Sequence, residues 1–177
     1  MAEQQYRRQQ KVETTKSYKC WRGGRTALQA ALEKGHINAA RRLLLAGAYI
    51  NANHGFSGGL TALQAAVSFG DIDIVKEILD YQADINAAAG SEYGFTALQI
   101  AINHKNIDLL ELLLQAGADV DALPSELPNK TALQCAVYDR WKEGVQILLK
   151  YHPDVRMLPP YQDDLKALSA LGWAIYN

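Results

Sequence analysis

Apolar and polar positions follow a long beat along this chain. The string Thr-Ala-Leu-Gln begins at Thr26 and returns at Thr61, Thr96 and Thr131, each 35 residues after the last. Ala31, Ala66, Ala101 and Ala136 follow five places behind each Thr. Small apolar residues at this helical spacing predict a short first helix per unit, with the Thr hydroxyl in front as an N-cap for an orphan backbone N–H. A second apolar stretch closes each unit: Leu43-Leu44-Leu45, Ile78-Leu79, Leu112-Leu113-Leu114 and Ile147-Leu148-Leu149. It predicts a second helix. Behind it stand Ala48-Tyr49-Ile50-Asn51, Ala83-Asp84-Ile85-Asn86, Ala118-Asp119-Val120-Asp121 and Pro153-Asp154-Val155-Arg156, again in one register.

The turns can be read from glycine. Gly24, Gly59, Gly94 and Asn129 lie two places before each Thr, the residue types a turn with positive φ selects. Gly35 and Gly70 are expected to end first helices in the left-handed conformation, and Gly47 and Gly117 to do so for second helices. Lys105 and Arg140 stand in the third and fourth units where Gly35 and Gly70 stand in the first two. Their side chains resist positive φ. The expectation there is a reshaped turn, or a neighbour such as Asn106 in the strained place. Each unit is thus turn, helix, turn, helix, too small to bury its own apolar face and stabilised by its neighbours.

These registers resemble the ankyrin repeat, whose pattern runs Gly-x-Thr-Pro-Leu-His-x-Ala, a short turn, a second helix ending in Leu-Leu, and Gly-Ala-Asp-Val-Asn. The resemblance covers Trp21 to about Met157 in four units. It implies an all-α ankyrin-repeat solenoid of stacked helix-turn-helix units with β-turn fingers. The repeat domain would span 21–177, with full repeats beginning near Trp21, Phe56, Ser91 and Glu126 and a partial fifth from about Asp164, behind a basic polar segment over 1–20. The family's Pro is Ala in every unit here, and its His is Gln29, Gln64, Gln99 and Gln134. An amide has both donors and an acceptor, so Gln can still bridge neighbouring turns. The Thr-Ala-Leu-Gln form resembles arrays common in filamentous fungi. The period exceeds the family's usual length of about 33 residues, and the surplus falls in the fingers 53–60, 88–95 and 123–130.

At the C-terminal end, Ser169-Ala170-Leu171-Gly172-Trp173-Ala174-Ile175 aligns with Thr61-Ala62-Leu63-Gln64-Ala65-Ala66-Val67. Only a first helix is expected there, leaving Ile147 and Leu148 open with Trp173 as a makeshift cap. A monomer is expected.

Composition narrows the class. A chain of 177 residues, 49% hydrophobic and 21% charged, suits one soluble globular or repeat domain. No apolar run reaches the roughly 18 residues a membrane span needs, and the polar stretch Met1 to Gln10 lacks the core of a signal peptide. An intracellular address, cytoplasmic or nuclear, is expected. Cys20 precedes the array and Cys135 sits inside it, so no disulfide is expected. The net charge of −1 is uneven. Arg7, Arg8, Lys11, Lys16, Lys19, Arg22 and Arg25 face only Glu3 and Glu13 in the first 25 residues, while the rest of the chain is acidic on balance. A solvated leader or polar cap explains this basic end more simply than nucleic-acid binding.

Motifs for catalysis are missing. The chain has no Gly-x-x-x-x-Gly-Lys, no Cys-x-x-Cys and no His-Glu-x-x-His. His36 falls where the family begins its second helix, and His54 and His152 have no partner at ligand spacing. Asp163-Asp164 lacks the second positioned group that acid catalysis needs. The reading is a non-enzymatic protein with no catalytic residue, metal or cofactor.

The resemblance implies that binding residues occupy the places just before each Thr and at the end of each first helix. By position these are Arg22, Arg25, Glu33 and Lys34 in the first repeat, and Ser57, Leu60, Ser68 and Phe69 in the second. The third offers Glu92, Tyr93, Phe95, Asn103 and His104, and the fourth Leu127, Lys130, Tyr138 and Asp139. A concave groove, basic at its N-terminal end and aromatic in the middle, would take a protein or peptide that is acidic where it meets the basic end. Tyr93, Phe95 and His104 are expected to supply most of the binding energy. The function expected is a protein-interaction module, an intracellular scaffold or adaptor. The alternatives are a small-molecule binder or cofactor-free enzyme using the same groove, and a truncated part of a larger signalling protein.

Overall fold

The computed structural model describes residues 25–53, 59–87, 94–123 and 130–155. The basic segment 1–20, the finger tips, and the partial fifth repeat with Trp173 lie outside the described residues. The regular structure of the described residues is helical, and the chain divides into two compact units, Met1–Asp84 and Ile85–Asn177.

The first unit contains α1 (Ala27–Glu33), α2 (Ile37–Leu45), α3 (Ala62–Phe69) and α4 (Ile72–Asp80). Helix α1 packs on α2 and on α3, and α3 packs on α4. Small side chains allow the close approach: Ala62 to Val67 are buried without a break. Each first helix opens on a reciprocal cap. The Gln29 N–H donates to Thr26 Oγ1 at 3.2 Å while the Thr26 N–H donates to Gln29 Oε1 at 2.8 Å, and Thr61 and Gln64 repeat the pair at 2.9 and 3.2 Å. A cap of this kind contributes about 1 kcal/mol. The Gln29 amide also donates to the carbonyls of Ala52 and Asn53 at 3.0 and 3.3 Å, tying the helix to the next finger. Lower down, Asn51 holds the following loop: its Nδ2 donates to the Gln82 carbonyl at 3.0 Å, and the Asp84 N–H donates to its Oδ1 at 2.8 Å.

The second unit contains α5 (Ala97–Asn103), α6 (Ile107–Gln115), α7 (Ala132–Tyr138) and α8 (Lys142–Leu149). Helix α5 packs on α6 and α7, and α8 packs on α7 and α6. The cap recurs at Thr96 with Gln99 and at Thr131 with Gln134. Gln99 is fully buried, and its amide donates to the carbonyls of Ala122 and Lys130 at 3.2 and 2.9 Å. Asn86 repeats the role of Asn51, accepting from the Asp119 N–H at 2.8 Å. At the next register Asp121 accepts from the Asp154 N–H at 3.0 Å. Ile147 and Leu148 are 8% and 0% exposed, on a helix that packs against α7 and α6, while Trp173, expected to cap them, lies outside the described residues.

The turns after α5 and α7 correct the reading of Lys105 and Arg140. Both residues adopt positive φ themselves, 50° and 52°. The turn keeps its shape. After α1 the Gly35 N–H donates to Leu32 O at 3.0 Å and the His36 N–H to Ala31 O at 2.8 Å. After α5 the matching bonds run from Lys105 to Ile102 and from Asn106 to Ala101, and after α7 from Arg140 to Val137 and from Trp141 to Ala136. Two backbone bonds that close a helix end outweigh the cost of about 1–2 kcal/mol for a side chain in the left-handed region. Asn106 keeps φ −92° and caps α6 instead, accepting from the Leu109 N–H at 3.1 Å. The substitution recurs after the second helices, where Gln82 and His152 hold φ 63° and 53° at the register of Gly47 and Gly117.

Candidate functional site

The recurring Leu is buried in every repeat, while the varying places before each Thr and at the end of each first helix are exposed or half-buried where they are described. Leu28, Leu63, Leu98 and Leu133 are at most 3% exposed, as the fixed third place of each cap sequence. The places at the helix ends carry different chemistry: Lys34, Asn103, His104 and Tyr138 are exposed, Phe69 is 47% exposed, and Glu33, Ser68 and Asp139 are half-buried. Leu60, Phe95 and Lys130, just before their Thr residues, are also half-buried, and Arg25 is exposed. Arg22, Ser57, Glu92, Tyr93 and Leu127 lie outside the described residues.

Two repeats bring their varying places into contact by the same geometry. In the first, Arg25 Nη1 lies 3.0 Å from Glu33 Oε2. In the fourth, Lys130 Nζ lies 3.5 Å from the centre of the Tyr138 ring. A helix of two turns is about 10 Å long, and side chains on it tilt toward its N-terminus, so a long cation before the helix can meet a large side chain at its end. Leu60 with Ser68, and Phe95 with Asn103, lack that reach. The pairing leaves Glu33 Oε1 buried without a hydrogen bond.

Phe69 has a different attachment. Its ring lies over Gly35, so that a Cβ there would collide with it, and the positive φ of 68° favours glycine at the same place. The ring therefore packs on the end of the preceding first helix with one side open.

The end of α7 gathers cations. Besides Lys130 over Tyr138, Lys105 Nζ donates to the Asp139 carbonyl at 3.2 Å, and Arg140 follows directly. Lys105 and Arg140 were singled out in the sequence for their turns alone. The signal that could have found them is the preference of cations for helix C-termini, where carbonyls leave partial negative charge. Cys135 lies buried in this helix, and burial pushes its thiol up to about 11; Lys130 pulls it down and Asp139 up by smaller amounts. A thiol so held is a poor nucleophile at neutral pH. His36, at the start of α2, makes no side-chain cap, whereas Asp71 and Asn106 at its register do. Among the described residues no three His, Cys, Asp or Glu side chains come together as metal ligands, and no helix is long and apolar enough to cross a membrane.

Comparison with known families gives one model, ankyrin repeats in three copies, matching residues 8–89 and 51–124. No curated protein matches the chain. The fourth Thr-Ala-Leu-Gln lies past the matched span, yet it forms the same reciprocal cap as the other three. With most of its length under that model and the repeat geometry in both units, the chain belongs to the ankyrin-repeat family.

Proposed function

We propose that this ankyrin-repeat protein is a scaffold or adaptor that binds a partner protein through the first-helix ends and finger bases of its repeats. Ankyrin repeats generally serve as protein-interaction modules. The observation that carries the reading is the division of labour inside each repeat. Thr and Gln form the cap and Leu the core in all four, while the places around them present Arg25, Lys34 and Phe69 in one unit and His104, Lys130, Tyr138 and Asp139 in the other. Rigid, capped helices fix those side chains before binding, which reduces the ordering cost of association. Exposed aromatics beside charged groups are the usual composition of binding hot spots. An acidic match to Arg25 is less favoured than the sequence suggests, since Glu33 already meets it. We propose a non-enzymatic role and an intracellular location, the latter supported by the buried free thiol of Cys135.

A photo-crosslinking residue placed at Tyr138 or at Phe69, and in parallel at Glu111 on α6 as a control, tests the reading in native extract. The expected result is one partner captured from Tyr138 or Phe69 and not from Glu111. Equal capture from all three positions would overturn it.

A further inference from the structure

Cations at the two ends of this chain's repeats are neutralised in different ways. Arg25 in the first repeat has a carboxylate, Glu33, at 3.0 Å. Among the described residues no ion pair forms at the three cations near the end of α7, where Asp139 is the neighbouring carboxylate. Lys130 rests on the Tyr138 ring at 3.5 Å, Lys105 donates to the main-chain carbonyl of Asp139 at 3.2 Å, and Arg140 is exposed. Among the described residues the ion pairs are Arg25 with Glu33 and Arg41 with Glu77. A ring face and a carbonyl carry partial charge: they orient an ammonium group without cancelling it.

Two of these cations stand at turns that the first unit makes with glycine. At the register after the first helix, the first unit has Gly35 and Gly70, to which positive φ costs nothing, while the second unit has Lys105 and Arg140 at φ 50° and 52°. Gln82 and His152 take the same conformation, so the turn tolerates a side chain and the charge is what Lys105 and Arg140 add. Beside the three charges Tyr138 is 61% exposed, an open aromatic surface.

We infer that the end of α7 is the docking point for an acidic segment of the partner protein. A carboxylate of that segment sits among Lys105, Lys130 and Arg140, and an adjacent apolar side chain lies on Tyr138. The inference rests on the protein-binding reading above and names the chemistry of its partner. A polyanion such as nucleic acid fits less well, because the same unit carries Asp108, Glu111, Asp119, Asp121, Glu143 and Asp154, which repel an extended run of negative charge.

The test uses the full chain and a fluorescently labelled peptide alternating Glu and Leu, with a Gln and Leu peptide as control, read by anisotropy. The Glu peptide is expected to bind about tenfold tighter than the Gln peptide, and Lys130→Gln or Arg140→Gln to weaken it by about fivefold or more. Arg42→Gln, the same change of charge on α2, leaves affinity unchanged. Lys105→Gly and Arg140→Gly separate charge from folding: each relieves the left-handed strain, so thermal stability rises while affinity for the Glu peptide falls. Equal binding of the two peptides overturns the inference, as does unchanged affinity in the Lys130, Lys105 and Arg140 variants. Displacement of the Glu peptide by inorganic phosphate at matched ionic strength also overturns it, in favour of a bare anion site. Should a partner crosslink at Tyr138 while peptide affinity ignores those variants, this inference fails and the protein-binding reading stands. Absence of selective crosslinking removes the reading itself.

Discussion

Helices α1, α5 and α7 end on the same pair of backbone hydrogen bonds but on opposite kinds of side chain, while α3 ends on the single bond from the Gly70 N–H to Ala66 O. In the first unit α1 ends at Gly35, whose bare Cα lets the Phe69 ring settle on the backbone. In the second, α5 and α7 end at Lys105 and Arg140, which take the same left-handed place with full side chains, and Lys105 reaches the carbonyl of Asp139, next in the chain to Tyr138. The backbone fixes the turn in both cases. The side chain then decides whether its surface is apolar and half-covered or charged and open. A repeat protein can thus vary its surface at a position that looks structural, as long as the hydrogen bonds of the turn exceed the strain.

What the units share should break most severely. Gln99 is fully buried and serves the Thr96 N–H, Ala122 O and Lys130 O together. Gln99→Leu strands those groups, so a loss of about 3 kcal/mol is expected in chemical denaturation; a loss below half of that would show that the fingers repair the bonds by themselves.

A glycine of another kind comes next. Gly144 lies inside α8, and a Cβ there would run into the ring of Trp141, which is 6% exposed. Helix propensity alone predicts that Gly144→Ala stabilises by roughly 1 kcal/mol. Overpacking against a buried ring predicts a loss of about 2 kcal/mol instead, and thermal unfolding gives the sign.

Exchanging the turn residues sharpens the contrast directly. Gly35→Ala should cost about 1–2 kcal/mol from the left-handed backbone, with the half-exposed Phe69 ring swinging aside. Lys105→Gly should gain about 1 kcal/mol, reduced by the lost bond to Asp139 O. Opposite signs in these two variants are required. A destabilised Lys105→Gly chain would mean that the lysine contributes more than its turn costs.

The smallest effect is electrostatic. Burial raises the Cys135 thiol from 9.0 to about 11, so the folded state keeps it protonated. Its contribution is fully present below pH 9 and is lost as pH rises toward 11. Denaturation at pH 8 and pH 10 should show a larger drop for the natural chain than for Cys135→Ala, and iodoacetamide should label the folded protein slowly at pH 8.

Much of this architecture is legible in the sequence because the repeat displays it four times. Thr as the N-cap, the turn glycines Gly35, Gly47, Gly70 and Gly117, and the bridging role of Gln29 and Gln99 all follow from local chemistry that the structure repeats. The reciprocal half of the cap was readable from Thr followed by Gln three places on, a known helix-start signature. What did not follow is the outcome of competition. Residue preference alone could not weigh the strain at Lys105 against two backbone bonds. Nor could sequence order show Lys130 over Tyr138, since that contact depends on how far a side chain reaches along a finished helix.

The central claim is that the varying, outward places bind while the recurring, buried ones fold. One chain carrying Phe69→Ala, His104→Ala, Lys130→Ala and Tyr138→Ala tests it most directly, with thermal unfolding and capture of the crosslinked partner measured on the same preparation. The account predicts a melting temperature within a few degrees of the natural chain, because surface changes of this kind each move stability by roughly half a kcal/mol or less, together with loss of partner capture. Capture at full strength from a folded variant would contradict it.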